Sequence, residues 1–197
     1  NAAYLTEGLK DVPGLTLPTV LAEHKHVFHL YPVMIDPAGY GEIVEGFLAH
    51  YREGGWLPKW CSPGYRDCMI GSHSDAVITE AIARDIEGFD YAEAYEAIRK
   101  NAFEPVHGHN RFGRRALEEY LRLGYLPADV AHDSVSWTLD NAHCDWCIGQ
   151  IARKLGHVED SAVLLRRGQN YRNLWHAGSG FMRPRNSDGS WTEPWRE

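Results

Sequence analysis

The chain has 197 residues, a mass of 22.3 kDa, 44% hydrophobic and 24% charged residues. This fits one globular unit and excludes disordered, collagen-like and coiled-coil chains. A net charge of −7 with pI near 5.9 argues against a nucleic-acid binder, which would carry a basic excess. No apolar run nears the ~18–20 residues needed to span a bilayer, and the first residues show no basic and apolar leader, so neither membrane insertion nor a signal peptide is expected in this chain. Seven Trp and ten Tyr suit either stacking on sugar faces or a large aromatic core.

Residues 1–26 lack a period, and Pro13, Gly14 and Pro18 are expected to break any helix. Residues 27–34 are apolar around Pro32 and fit a short strand or a buried helical turn. The Asp36-Pro37-Ala38-Gly39 run reads as a turn. Ile43, Val44, Phe47, Leu48 and Tyr51 share one helical face over residues 42–53, and Gly54-Gly55 ends that helix. Residues 56–71 form an aromatic, aperiodic loop, the kind that borders a site. Ser72 or Ser74 caps a predicted helix reaching Ile86, and Asp90 with Glu93 forms a predicted capping box for one reaching Phe103. Further helices are predicted over 112–123, over 135–155 after Asp133 or Ser134, and over 159–171, with loops from Asn173 onward. The prediction is an all-α chain of about six helices. Short turns within helix pairs and long loops between them suggest an α/α toroid or solenoid, although no repeat shows a fixed period.

Among candidate chemical groups, Asp140 stands on the longest predicted helix beside Trp137, His143 and Trp146, a partly apolar setting that suits a general acid. The alternative is an ordinary exposed carboxylate. Asp145, five residues on, is expected to face a neighbouring loop. His73 lies in Gly71-Ser-His-Ser-Asp75, where a loop enters a helix, but no GxSxG nucleophile elbow accompanies it. His24-Lys25-His26 and His107-Gly108-His109 resemble metal ligands only loosely. Cys61, Cys68, Cys144 and Cys147 fit free, half-buried thiols, a four-cysteine zinc site or disulfides of unassigned pairing. Cys144 and Cys147 share a helix face rather than following a strand.

Taken in order, several motifs resemble glycoside hydrolase family 92 over residues 38–197. They are GGWLPKW at 54–60, MIGSHSD at 69–75, Gly88-Phe89-Asp90 before Ala94-Tyr95, and Gly124-Tyr125-Leu126-Pro127. SVSWTLDNAHCDWCIGQIARKLG at 134–156, Asn170-Tyr171-Arg172-Asn173-Leu174 and GFMRPRNSDGSW at 180–191 continue the series. The resemblance implies the first part of an (α/α)6 toroid, about half of the barrel, preceded by a divergent segment at 1–37. It implies an inverting, calcium-dependent exo-α-mannosidase of α-1,2 linkage, acting on mannose-containing glycans such as N-glycans outside the cytoplasm, in a secreted or periplasmic setting. Asp140 falls on the general acid, where the family has the Glu of a Thr-Leu-Glu motif. The shorter side chain sets the carboxyl back about 1.5 Å, a misplacement that can cost about 10²-fold. Trp56, Gly71, His73, Asp75 and Glu197 fall on substrate-binding positions. The general base and most calcium ligands are expected beyond residue 197, so no metal ligand is assigned within the chain. Near residues 24–29 the family's Trp-Asp-Thr-x-Arg motif is replaced by HKHVFH. The resemblance therefore predicts a fragment that is inactive alone and prone to self-association through exposed helix faces. The alternative is a non-catalytic carbohydrate-binding or α-solenoid scaffold remnant.

Overall fold

The computed structural model describes residues 2–19, 34–60, 64–108 and 111–195. Among them, seven α-helices carry nearly all the order: α1 (Ala2–Leu9), α2 (Pro37–Gly54), α3 (His73–Ala83), α4 (Tyr91–Phe103), α5 (Leu117–Leu123), α6 (Ser134–Lys154) and α7 (Val158–Arg167). A 3-10 helix at Asn170–Leu174 follows. Two antiparallel ribbons complete the set, β1 (Leu15–Thr16) with β2 (Met34–Ile35) and β3 (Trp175–His176) with β4 (Phe181–Met182). The all-α expectation holds.

Local chemistry explains where the helices start and stop. α2 begins earlier than its apolar face suggested, because the Asp36 carboxylate accepts the Gly39 N–H at 2.7 Å and Pro37 occupies the first turn. The predicted turn there is a helix cap. Gly55, at φ 77°, closes the helix by donating to the Tyr51 carbonyl. α3 stops before Ile86: Asp85 turns left-handed at φ 55°, and the Ile86 N–H returns to the Ala81 carbonyl. Asp90 caps α4 by accepting from Ala92 and Glu93 N–H at 2.8 and 3.1 Å. The predicted capping box is one-sided, since the Glu93 carboxylate pairs with Arg52 of α2. Left-handed Gly113 and Ala116 keep residues 112–116 out of α5. The single helix predicted over 159–171 is split after Arg167. Gly168 lies so near α6 that an added Cβ would sit 2.9 Å from Trp146 Cβ. The N-terminal expectation is corrected too, because α1 forms ahead of the Pro13-Gly14 break.

α6 is the axis of the fold. Trp137, Thr138, Asn141, Ala142, Cys144, Asp145, Ile148, Gly149, Ile151 and Ala152 are buried on several of its faces, and α3, α4 and α7 pack around it. α7 comes close at Gly149, where an added Cβ would lie 3.0 Å from the Leu165 backbone nitrogen. One apolar cluster joins Val44, Leu48, Ile78, Ile82, Ile98, Ile148 and Leu164 from α2, α3, α4, α6 and α7. A second joins Leu117, Tyr120, Leu126, Ala131 and Trp137 beside α5 and the start of α6. Each fully buried Leu or Ile contributes about 1.5–3 kcal/mol, so these clusters outweigh the few strand bonds in setting the architecture.

Candidate active site

Asp140 stands about a third of the way along α6 with its side chain 10% exposed. The loop entering α3 lies directly on its carboxylate. Gly71, at φ 102°, comes so close that an added Cβ would sit 2.7 Å from Asp140 Oδ1. Only a residue without Cβ tolerates both that approach and that backbone angle. The next N–H, from Ser72, donates to Asp140 Oδ2 at 3.3 Å, and His73 Nε2 lies 3.6 Å from Oδ1. His73 is 64% exposed, so this edge of the carboxyl opens toward solvent. On the inner edge, the buried Cys144 Sγ lies 3.8 Å from Oδ2. The structure thus brings together Gly71, His73 and Asp140, and adds the Ser72 amide and the Cys144 thiol.

The partners of Asp140 differ from those expected. Trp137 joins the second apolar cluster, Trp146 packs against Gly168, and His143 Nε2 lies 3.7 Å from Cys147 Sγ. The partners named for the carboxylate are polar instead.

Asp75, one residue beyond Ser74 in the first turn of α3, is fully buried. Its carboxylate accepts from Asn101 Nδ2 at 2.8 Å and from Arg114 Nη2 at 3.1 Å. This side chain, expected among the substrate-binding groups, is held by Asn101 and Arg114 and anchors the start of α3. Arg114 also donates to Asp145, which further accepts from Arg167 Nε at 2.8 Å and Tyr120 Oη at 3.0 Å. Two carboxylates and two guanidiniums form a charge-balanced hub behind Asp140. Burial pushes the Asp75 carboxyl up to about 6 even though Arg114 and Asn101 oppose the rise. Burial also drives the Cys144 thiol well above its usual range, with Asp75 and Asp140 adding to the effect and Arg114 opposing it.

Trp56 stacks on Phe112 at 5.4 Å, with Lys100 Nζ 4.6 Å from its ring, so its indole packs between α4 and the following loop. Glu197, Cys61, His24, His26 and His109 lie outside the described residues. Cys68, Cys144 and Cys147 are free thiols, and His107 is exposed beside Glu118. Among the described residues no three His, Cys, Asp or Glu side chains converge to hold a metal ion. The buried carboxylates behind Asp140 are already committed to arginines, so the donors described do not fit calcium. A cleft of about 1100 Å³, lined by Tyr40, Glu80, Arg84 and Ile86, lies at the other end of α3. At about 1.5 Å per residue it stands some 15 Å from the Gly71 loop, well apart from Asp140.

The sequence reading left out Arg114 and did not place Cys144 or the Ser72 amide beside Asp140. The one available signal was Gly71 immediately before a helix start, which marks a close backbone approach but not its target.

The profile of the glycosyl hydrolase family 92 catalytic domain matches residues 24–197. The chain belongs to glycoside hydrolase family 92. The family 92 match begins at residue 24, upstream of the motifs read from residue 38. A solved inverting family GH92 mannosidase from Bacteroides thetaiotaomicron is 31% identical, with a TM-score of 0.78 over 81% of this chain and 22% of that one. A second family GH92 α-mannosidase from the same organism, also solved with mannoimidazole, is 33% identical with a TM-score of 0.72 over 82% and 21% of the two chains. An uncharacterized secreted glycosidase of Arthroderma benhamiae is 28% identical over 174 residues, covering 73% of this chain and 21% of that protein. The family 92 chain thus spans about a fifth of the length of these relatives. Its helices form part of an (α/α)6 toroid.

Proposed function

We propose that this chain supplies the acid side of an exo-α-mannosidase site. Asp140 gives its proton to the glycosidic oxygen as the bond to the anomeric carbon breaks, and is left as a carboxylate. Water adds to that carbon from the opposite face, with inversion. The Gly71–His73 loop holds the acid, and His73 meets the sugar at the solvent-facing edge. The observation that carries this reading is the Asp140 carboxyl, gripped on Oδ2 by the Ser72 N–H and left open on Oδ1 beside exposed His73. Membership of family 92 and the mannosidases among its structural neighbours support it. Terminal α-mannose in mannose-containing glycans, with α-1,2 linkages and N-glycans foremost, is the proposed substrate class. A location outside the cytoplasm is proposed on the likeness to a secreted glycosidase. Calcium dependence is carried by the resemblance alone and is tested with a chelator.

The 197 residues by themselves are proposed to bind sugar without hydrolysing it. Inversion needs a second carboxylate about 6.5–9.5 Å from the acid to activate water. Asp75 and Asp145, which lie behind Asp140, are fully buried and paired with Arg114 and Arg167. Exposed Trp175, Phe181 and Val158 also favour self-association, which sedimentation reads directly.

The chain incubated with α-1,2-mannobiose and calcium is expected to show no turnover, while a mannose titration shows binding. Turnover that a chelator abolishes would overturn the non-catalytic reading. In a longer polypeptide that contains this stretch, Asp140→Asn should lower mannobiose cleavage by about 10²–10⁴-fold. It should spare a dinitrophenyl α-mannoside, whose leaving group needs no proton. Equal losses on both substrates would refute the acid role.

A further inference from the structure

The two oxygens of the Asp140 carboxyl meet different surroundings. Oδ1 faces His73 Nε2 at 3.6 Å on the exposed side. Oδ2 faces inward, toward the Ser72 N–H at 3.3 Å and Cys144 Sγ at 3.8 Å. Cys144 is four residues after Asp140 on α6, a spacing that sets the two side chains next to each other. Its thiol is fully buried and has a second acceptor, the Ser72 carbonyl, at 3.9 Å. Ser72 therefore offers its N–H to the carboxyl and its C=O to the thiol, closing a ring of three groups.

A thiol has one hydrogen and cannot serve both acceptors at once. Charge decides between them, because a hydrogen bond to an ionised acceptor is about twice as strong as one to a neutral acceptor. We propose that Cys144 is a positioning residue for Asp140, its thiol hydrogen swinging from the Ser72 carbonyl to Oδ2 as the carboxyl loses its proton, so that the acid proton is carried on Oδ1. This rests on the reading of Asp140 as proton donor. The Ser72 N–H can only donate, so Oδ2 is an acceptor in both states. Burial keeps the sulfur as S–H, first by desolvation and then through the nearby Asp75 and Asp140 charges. The thiol contact then strengthens as the proton departs, so it favours the transition state over the ground state. The charged or titratable groups acting on the thiol are Asp75 of α3, Arg114 of the loop after α4, and Asp140 and Cys147 of α6. His73 meets the carboxyl from the other side.

The S–H stretching band of Cys144 reads this swing. It is isolated in the 197-residue chain as the Raman difference from Cys144→Ala. The band is expected to move to lower frequency between acid and neutral pH, to stay fixed in Asp140→Asn, and to keep moving in Asp75→Asn. A band that does not move, one that still moves in Asp140→Asn, or one that stops moving in Asp75→Asn would overturn the proposal. Neutron diffraction on crystals of the unaltered chain in heavy water needs no variant. The thiol deuteron should point to the Ser72 carbonyl in acid and to Oδ2 at neutral pH, with the acid deuteron on Oδ1. A thiol deuteron fixed in one direction, or an acid deuteron on Oδ2, would overturn it. Neither readout depends on turnover. They can fail while Asp140 still serves as the acid, and the dinitrophenyl comparison can fail while they hold.

Discussion

Replacing Gly71 by alanine probes the contact on which the site is built. Two costs follow from the structure. The first is backbone strain, since a residue with Cβ at φ 102° costs about 1–3 kcal/mol. The second is collision, because the new Cβ would lie 2.7, 2.8 and 2.8 Å from Oδ1, Cγ and Oδ2 of Asp140. Carbon contacts settle near about 3.5–4.0 Å, so the carboxyl must retreat by most of an ångström. It then gives up the Ser72 N–H, a charge-assisted bond worth about 1.5–3 kcal/mol. The sum is about 2.5–6 kcal/mol, or roughly 5–24 °C in Tm for a chain of this size. Gly156→Ala is the matched control, because Gly156 has φ 88° with open space around it and carries strain alone. Adding Asp140→Ala to Gly71→Ala should recover the collision part, a coupling that a double-mutant cycle measures. Calorimetric melting of the four variants is the assay. If Gly71→Ala costs no more than Gly156→Ala, the loop does not rest on the carboxyl and the argument fails.

Arg114→Leu should destabilise the chain by about 3–5 kcal/mol in urea unfolding, because it leaves buried carboxylates short of a countercharge. Arg114→Lys should restore only part of this, since one ammonium cannot fork to Asp75 and Asp145 together. A loss under about 1 kcal/mol for the leucine variant would contradict the hub. Asp75 sets a pH dependence of definite sign. Its folded value of about 6 exceeds the unfolded value of about 3.9, so its contribution favours the fold below about pH 4 and is lost as pH rises through about 6. The stability of the chain minus that of Asp75→Asn should therefore fall between pH 4 and 6 in denaturant titrations, and a rising difference would refute the assignment.

Helix ends were legible wherever one residue acts on its own neighbours. Asp90 caps α4, and Gly55, Gly124 and Gly156 take the left-handed angles that ended predicted helices. Misreadings arose where local signals are ambiguous. Asp36-Pro37 serves a turn and a helix start equally well, and the close approach of Gly168 to Trp146, where the last predicted helix is interrupted, is a tertiary contact with no local signal. The family could be read from ordered motifs. The anchoring of Asp75 could not, since its partners Asn101 and Arg114 lie 26 and 39 residues away and carry no periodic signature. Trp56 could be read from the sequence as pocket lining or as filling between helices, and its stack on Phe112, 56 residues away, had no local signature.

The hub behind Asp140 also governs how the molecule assembles. Its members come from α3, α4, the following loop, α6 and α7, and its charges cancel only when all have arrived. A half-docked form would strand a bare charge in a dry interior at a cost of several kcal/mol. Arg167 sits 5.2 Å from the Phe103 ring, at the margin of the first apolar cluster, and 5.5 Å from that of Tyr120, in the second. The guanidinium thus rivets together two apolar clusters, and fluorescence and circular dichroism transitions that coincide are the expected result.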